Sequence, residues 1–148
     1  MAVYTYNYIP DVFEHYSRFS RKITLERIDR PKVPIMFGNN HILTTRIWCL
    51  LDSGADNIVL NSDIAHFLQI DLSKAPIFKT GVVGGETIKV RRHNLNIILE
   101  GKTYSSFADF SDTHPFPILG RNFFELTESI VINERAKQIK IVMPSKAN

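Results

Sequence analysis

LLDSGADNIVL, residues 50–60, sets the question on which the fold turns. The acid Asp52 closes the apolar run ILTTRIWCLL (42–51), and Ser53, Gly54 and Ala55 follow it at once. A carboxylate beside an apolar strand is costly to desolvate unless other groups share that cost. One local reading is a turn, because Asp and Ser side chains bond to the nearby backbone and Gly tolerates positive φ. A nucleophilic Ser53 lacks the Gly-x-Ser-x-Gly frame that presents such a serine. A phosphate loop, hinted at by GVVGG (81–85), is not followed by Gly-Lys-Ser/Thr. The turn reading stands, and the wider chain must say whether Asp52 does more.

Outward from this stretch the chain reads as short strands and turns. VPIMF (33–37), the turn residues Gly38-Asn39-Asn40 and the run 42–51 make a hairpin. Consecutive Trp48, Cys49, Leu50 and Leu51 predict a strand covered on both faces, with Trp48 and Cys49 in the core. Ser62 offers an N-cap, and Ile64, Phe67 and Leu68 form the stripe of a short helix over 62–69. GVVGGETIKVRR (81–92) places glycines between alternating residues. NLNIILEG (94–101) and KTYSSFADF (102–110) are further strands about a Gly101-Lys102 turn. FPILG (116–120) is a short strand, Arg121–Glu128 a second helix, and SIVINERAKQIKIV (129–142) a closing hairpin. The class is all-β with two short helices.

The first thirty residues read differently. AVYTYNYI alternates as a strand does. Asp11, with Glu14 three residues on, resembles a capping box, and Val12, Phe13, Tyr16 and Phe19 follow at helical spacing. A short helix is expected there, then a strand or extended arm anchored by Ile23, Leu25 and Ile28. Two segments result: an extension, 1–30, and a main domain, 31–148.

Composition bounds the functions. A chain of 148 residues with 44% hydrophobic and 22% charged residues suits one globular domain. A net charge of +3 without a clustered basic patch gives no case for nucleic acid. Lys89, Arg91 and Arg92 read as a solvated strand face, or as a preference for acidic substrates. The single Cys49 allows no internal disulfide. No apolar window is long enough for a membrane span, the N-terminus does not resemble a signal peptide, and the expected compartment is the cytoplasm. The five histidines lack metal-ligand spacing, so neither metal nor other cofactor is expected.

Three separated motifs together carry a resemblance. VPIMFGNNHILTTRIWCLLDSGADNIVL, GVVGGETIKVR and PILGRNFF occur in the order and approximate spacing of the single-lobe, retropepsin-like aspartic proteases. The likeness covers residues 31–143. It implies a closed half-barrel and a homodimer acting on peptide substrates. It also implies that Asp52 is catalytic, that the Ser53 hydroxyl bonds across the dimer, and that Gly54 admits the substrate backbone. Gly81, Val82, Val83, Gly84 and Gly85 would form the flap, with Glu86 near its tip. Ala55, Asp56, Val59, Ile88 and Ile118 would complete the substrate site, and Asp56 and Arg121 would pair as ions. The link from Leu60 to Gly81 is longer than in the viral enzymes.

The chemistry agrees. Two carboxylates at hydrogen-bonding distance cannot both ionise, so they hold one proton between them and can act as base and acid. They titrate as a pair, which favours mildly acidic conditions. No second Asp-Ser/Thr-Gly occurs in the sequence, so a second chain must supply the other carboxylate. A retropepsin-like module that dimerises or binds peptides without turnover is the alternative. Intact Asp52, Ser53 and Gly54 favour the enzyme. Met1 fits a free-standing chain.

Overall fold

The structure, a computed structural model, describes residues 1–81 and 84–145. Strands make up 59% of the described residues, so period-two patterning governs most of the packing. In order they are β1 (Ala2–Asn7), β2 (Ile9–Ser17), β3 (Lys22–Arg30), β4 (Lys32–Asn39), β5 (Ile42–Leu43), β6 (Ile47–Leu51) and β7 (Ile58–Asn61). Helix α1 (Ser62–Phe67) precedes β8 (Ile77–Gly81), β9 (Thr87–Leu99), β10 (Lys102–Ser111) and β11 (Ile118–Leu119). Helix α2 (Arg121–Phe124) leads to β12 (Ser129–Asn133) and β13 (Gln138–Met143).

Eight strands form one sheet in the order β5-β4-β6-β11-β7-β10-β9-β8, and a further pairing of β4 with β9 closes it. Alternate residues of β4 (Val33, Ile35, Phe37) and β9 (Leu95, Ile97, Leu99) point inward and are buried. Each such side chain contributes about 1.5–3 kcal/mol through burial. The two-residue strand β11 positions the site. Ile118 and Leu119 run parallel to Leu50 and Leu51 of β6, and Ile118 lies antiparallel to Val59 of β7. The loop from Asp52 to Asn57 leaves one of these neighbours and returns along the other.

A second sheet, β1-β13-β12, packs on the same core. Tyr8, just after β1, is buried, and its hydroxyl donates to Glu134 at 2.8 Å. The segment that stands apart from this core is therefore 9–30.

Several expectations need correction. Residues 11–19 are not helical: β2 pairs along its full length with β3, from Ile9 opposite Arg30 to Ser17 opposite Lys22. A nine-residue partner strand overrides the local helical spacing, as tertiary context commonly does. Asp11 caps nothing; its carboxylate accepts from Lys32 at 2.6 Å and pairs with Arg30 at 3.2 Å. The cap of α1 is Asn61, whose side chain accepts the Asp63 N–H at 2.9 Å, and Phe67 faces solvent. Both helices stop short of their predicted ends, at Phe67 and Phe124. Trp48 is 44% exposed because its side of β6 opens on a groove, whereas Cys49 is buried. The β9–β10 turn falls on Glu100 and Gly101, at φ 47° and 78°, one residue earlier than read from sequence.

Candidate active site

The loop after β6 is held almost entirely by backbone. The Asp52 N–H donates to the carbonyl of Leu119 at 3.0 Å, and Ala55 N–H closes a turn onto the Asp52 carbonyl at 3.2 Å. Gly54 N–H donates to Asp52 Oδ1 at 2.9 Å, which fixes the orientation of the carboxylate. The turn reading and the site reading are thus one structure, in which Asp52 organises its own loop. A Cβ at Gly54 would lie 3.2 Å from that oxygen, so a side chain there would crowd the acid.

A cleft of about 580 Å³ opens over this loop. Asp52, Gly54, Ala55 and Asp56 form its floor, Val59 and Ile118 a wall, and Gly81 and Ile88 line it from the β8–β9 hairpin. Eight of the residues singled out in sequence therefore meet in one place. Ser53 is exposed on the loop and does not line the cleft, nor do Gly84 (φ 105°) and Gly85 (φ 80°), which lie in the connection between β8 and β9. Val82 and Val83 lie outside the described residues.

The expected ion pair of Asp56 with Arg121 is absent from the ion pairs among the described residues. Both side chains are exposed, where pairing gains little. Backbone ties the two segments instead: Arg121 N–H donates to Ala55 O at 2.8 Å and Asn122 N–H to Asp56 O at 3.1 Å. Gly120 makes this approach possible, since a Cβ there would sit 2.3 Å from the Asn57 carbonyl oxygen.

Sequence reading missed the polar side wall. Asp109, whose side chain is only 3% exposed, lines the cleft and accepts from Arg92 Nε at 2.7 Å and Nη2 at 3.1 Å. Asn57 Nδ2 donates to the same carboxylate at 2.9 Å. The Arg92 guanidinium stacks 4.0 Å from the Phe78 ring centre, and its bond to Asp109 raises its affinity for its proton. Arg92 is therefore a paired residue and not part of a solvated basic face. The signal was available: FADF sets an acid among apolar residues, as LLDSG does. His114 and Phe116 of the β10–β11 connection also border the cleft, and no motif marks them.

Among the described residues no group of three or more His, Cys, Asp or Glu side chains is placed to hold a metal ion, and no helix is long and apolar enough to cross a membrane.

No family model matches the chain, and no curated protein sequence matches it. Solved structures do match. A retropepsin-like aspartic protease from Rickettsia conorii superposes with a TM-score of 0.56, over 92% of this chain and 95% of that one, at 19% identity. EIAV protease in complex with the inhibitor HBY-793 aligns over 65% of this chain and 86% of that one, with a TM-score of 0.49 and 24% identity. The first likeness defines the architecture: this chain has a retropepsin-like fold.

Proposed function

We propose that the chain is an aspartic endopeptidase that acts as a homodimer, with one Asp52 from each subunit. The observation that carries this reading is the placement of Asp52. Its carboxylate is oriented by the Gly54 amide at the floor of a cleft large enough for a peptide segment.

In the dimer the two carboxylates share one proton. The ionised one takes a proton from a water molecule as its oxygen attacks the scissile carbonyl carbon, while the protonated one donates to the carbonyl oxygen. Collapse of the tetrahedral intermediate breaks the C–N bond. The departing nitrogen receives a proton from the dyad while one hydroxyl of the intermediate returns a proton to it, which leaves a carboxyl group, an amine and a dyad again holding one proton. The Ser53 hydroxyl bonds across the dimer beneath the dyad. Residues 81–85 act as a flap, in which glycines allow opening for entry and release. An extended substrate pairs with main chain in the cleft, with Val59, Ile88 and Ile118 offering apolar pockets.

A diverse peptide mixture incubated between roughly pH 4 and 7 and read by mass spectrometry tests this. Bonds cut by wild type and spared by Asp52→Asn support the reading. Silence from a wild-type preparation shown to be dimeric would assign the fold to peptide binding without turnover.

A further inference from the structure

The β2–β3 hairpin joins neither sheet of the core. Residues directly opposite in an antiparallel pair share a face, and here Val12 faces Arg27, Glu14 faces Leu25 and Tyr16 faces Ile23. Val12, Tyr16, Ile23 and Leu25 are 60%, 64%, 64% and 69% exposed, and Phe19 at the turn is fully exposed. The other face is mostly polar, with His15 bonded to Glu26 at 2.6 Å and Asp11 to Lys32. An isolated two-stranded hairpin is marginal in water. A contiguous uncovered apolar face is a candidate contact surface.

Two observations bear on its partner. The first is position. The Pro31 carbonyl, immediately after β3, accepts the N–H of Leu51, so the hairpin leaves the body one residue from Asp52. A groove of about 450 Å³ at its root is lined by Val12, Phe13, Trp48, Leu50 and Phe116, and the last two also line the Asp52 cleft. The second is charge. The apolar face carries two acids, Glu14 and Asp29, and one base, Arg27. Glu14 has no side-chain partner among the described residues, and Arg27 bonds only Asp29, at 3.2 Å. The face thus holds charges of both signs, and about a twofold axis the unpartnered Glu14 can meet the partner's Arg27. It lacks the basic excess that nucleic acid or an anionic lipid surface would require.

We infer that residues 9–30 form a dimerisation arm whose apolar face packs against a second copy of this chain beside the paired Asp52 loops. The inference rests on the proposed homodimer and adds a surface that holds it.

Sedimentation of the full chain over a dilution series, with peptide cleavage measured alongside, tests it. The double variant Ile23→Glu, Leu25→Glu changes exposed side chains, so its monomer should keep the wild-type circular dichroism. Its dimer dissociation constant should rise roughly tenfold or more, with cleavage recovering at high concentration. Glu14→Arg and Arg27→Glu should each weaken the dimer, and the two together should restore it. Should the glutamate variant fail to fold, this charge exchange decides alone. A wild-type dimer with all variants equally tight would overturn the arm and leave the homodimer standing. A wild type that cleaves while monomeric at every concentration would overturn both. Variants that dimerise normally and cut short peptides, but lose cleavage of folded proteins, would assign the face to substrate and overturn the inference.

Discussion

The side-chain oxygen of Asn122 accepts the N–H of Ile58 at 2.7 Å, while its amide nitrogen donates to the carbonyl of Phe107 at 2.9 Å. One buried side chain thus ties α2 to β7, where the Asp52 loop ends, and to β10. Asn122→Ala leaves a buried N–H and a carbonyl without their partner. Urea unfolding should show a loss of about 2–3 kcal/mol. A loss below about 0.5 kcal/mol would mean that water replaces both bonds.

Gly120 and Gly81 should respond oppositely to the same change. A methyl group at Gly120 meets the Asn57 carbonyl at 2.3 Å and the Ala55 carbonyl at 2.7 Å, so the backbone on both sides of the cleft floor must shift. Gly120→Ala should cost about 3 kcal/mol or more, or prevent folding. At Gly81 an added Cβ meets nothing within 4 Å, and Gly81→Ala should stay within about 0.5 kcal/mol of wild type by thermal melting.

The pair of Arg92 with Asp109 predicts a recovery. Arg92→Met strands a carboxylate that is almost fully buried and should destabilise the chain by about 3 kcal/mol, with Asn57 as its remaining side-chain donor. Adding Asp109→Leu removes the stranded charge and should restore most of that loss, because a buried ion pair and a well-packed apolar pair are often of similar stability. Equal stability of the single and double variants would show that Asp109 was never dependent on Arg92.

What the sequence made legible follows the range of the interactions. The strands around Asp52, the β8–β9 hairpin, α2 and the closing hairpin are marked by contiguous residues whose pattern and turn chemistry agree. The Asn122 brace is not so marked, since its two partners lie 64 and 15 residues away. The segment 11–19 misled because its capping-box spacing satisfies a local rule, while the pairing with β3 that decides its conformation is cross-strand. Trp48 misled in another way. Four consecutive apolar residues imply cover on both faces, but one face of β6 borders the groove beneath the N-terminal arm.

Cys49 gives the pH dependence its sign. Burial pushes its thiol well above the ordinary value of 9.0, with nearby Lys32 pulling weakly the other way. The native state therefore keeps the proton where an unfolded chain would release it. This contribution is intact below about pH 9 and is lost as pH rises from there toward the folded value. Melting temperature should fall above about pH 9, and Cys49→Ala, although less stable, should lack that part of the slope. At pH 8 a thiol reagent should label Cys49 only as fast as the chain unfolds. Rapid labelling of the folded chain would contradict the buried placement.

The most direct test of a site built from two chains is subunit mixing. Wild type and Asp52→Asn are combined in equal amounts at fixed total concentration, exchanged to equilibrium, and assayed for peptide cleavage. If each active site needs one Asp52 from each subunit, only wild-type pairs cut, and activity should fall to about one quarter of the all-wild-type value. Activity of about one half would mean that each chain carries a complete site, and would contradict the shared dyad.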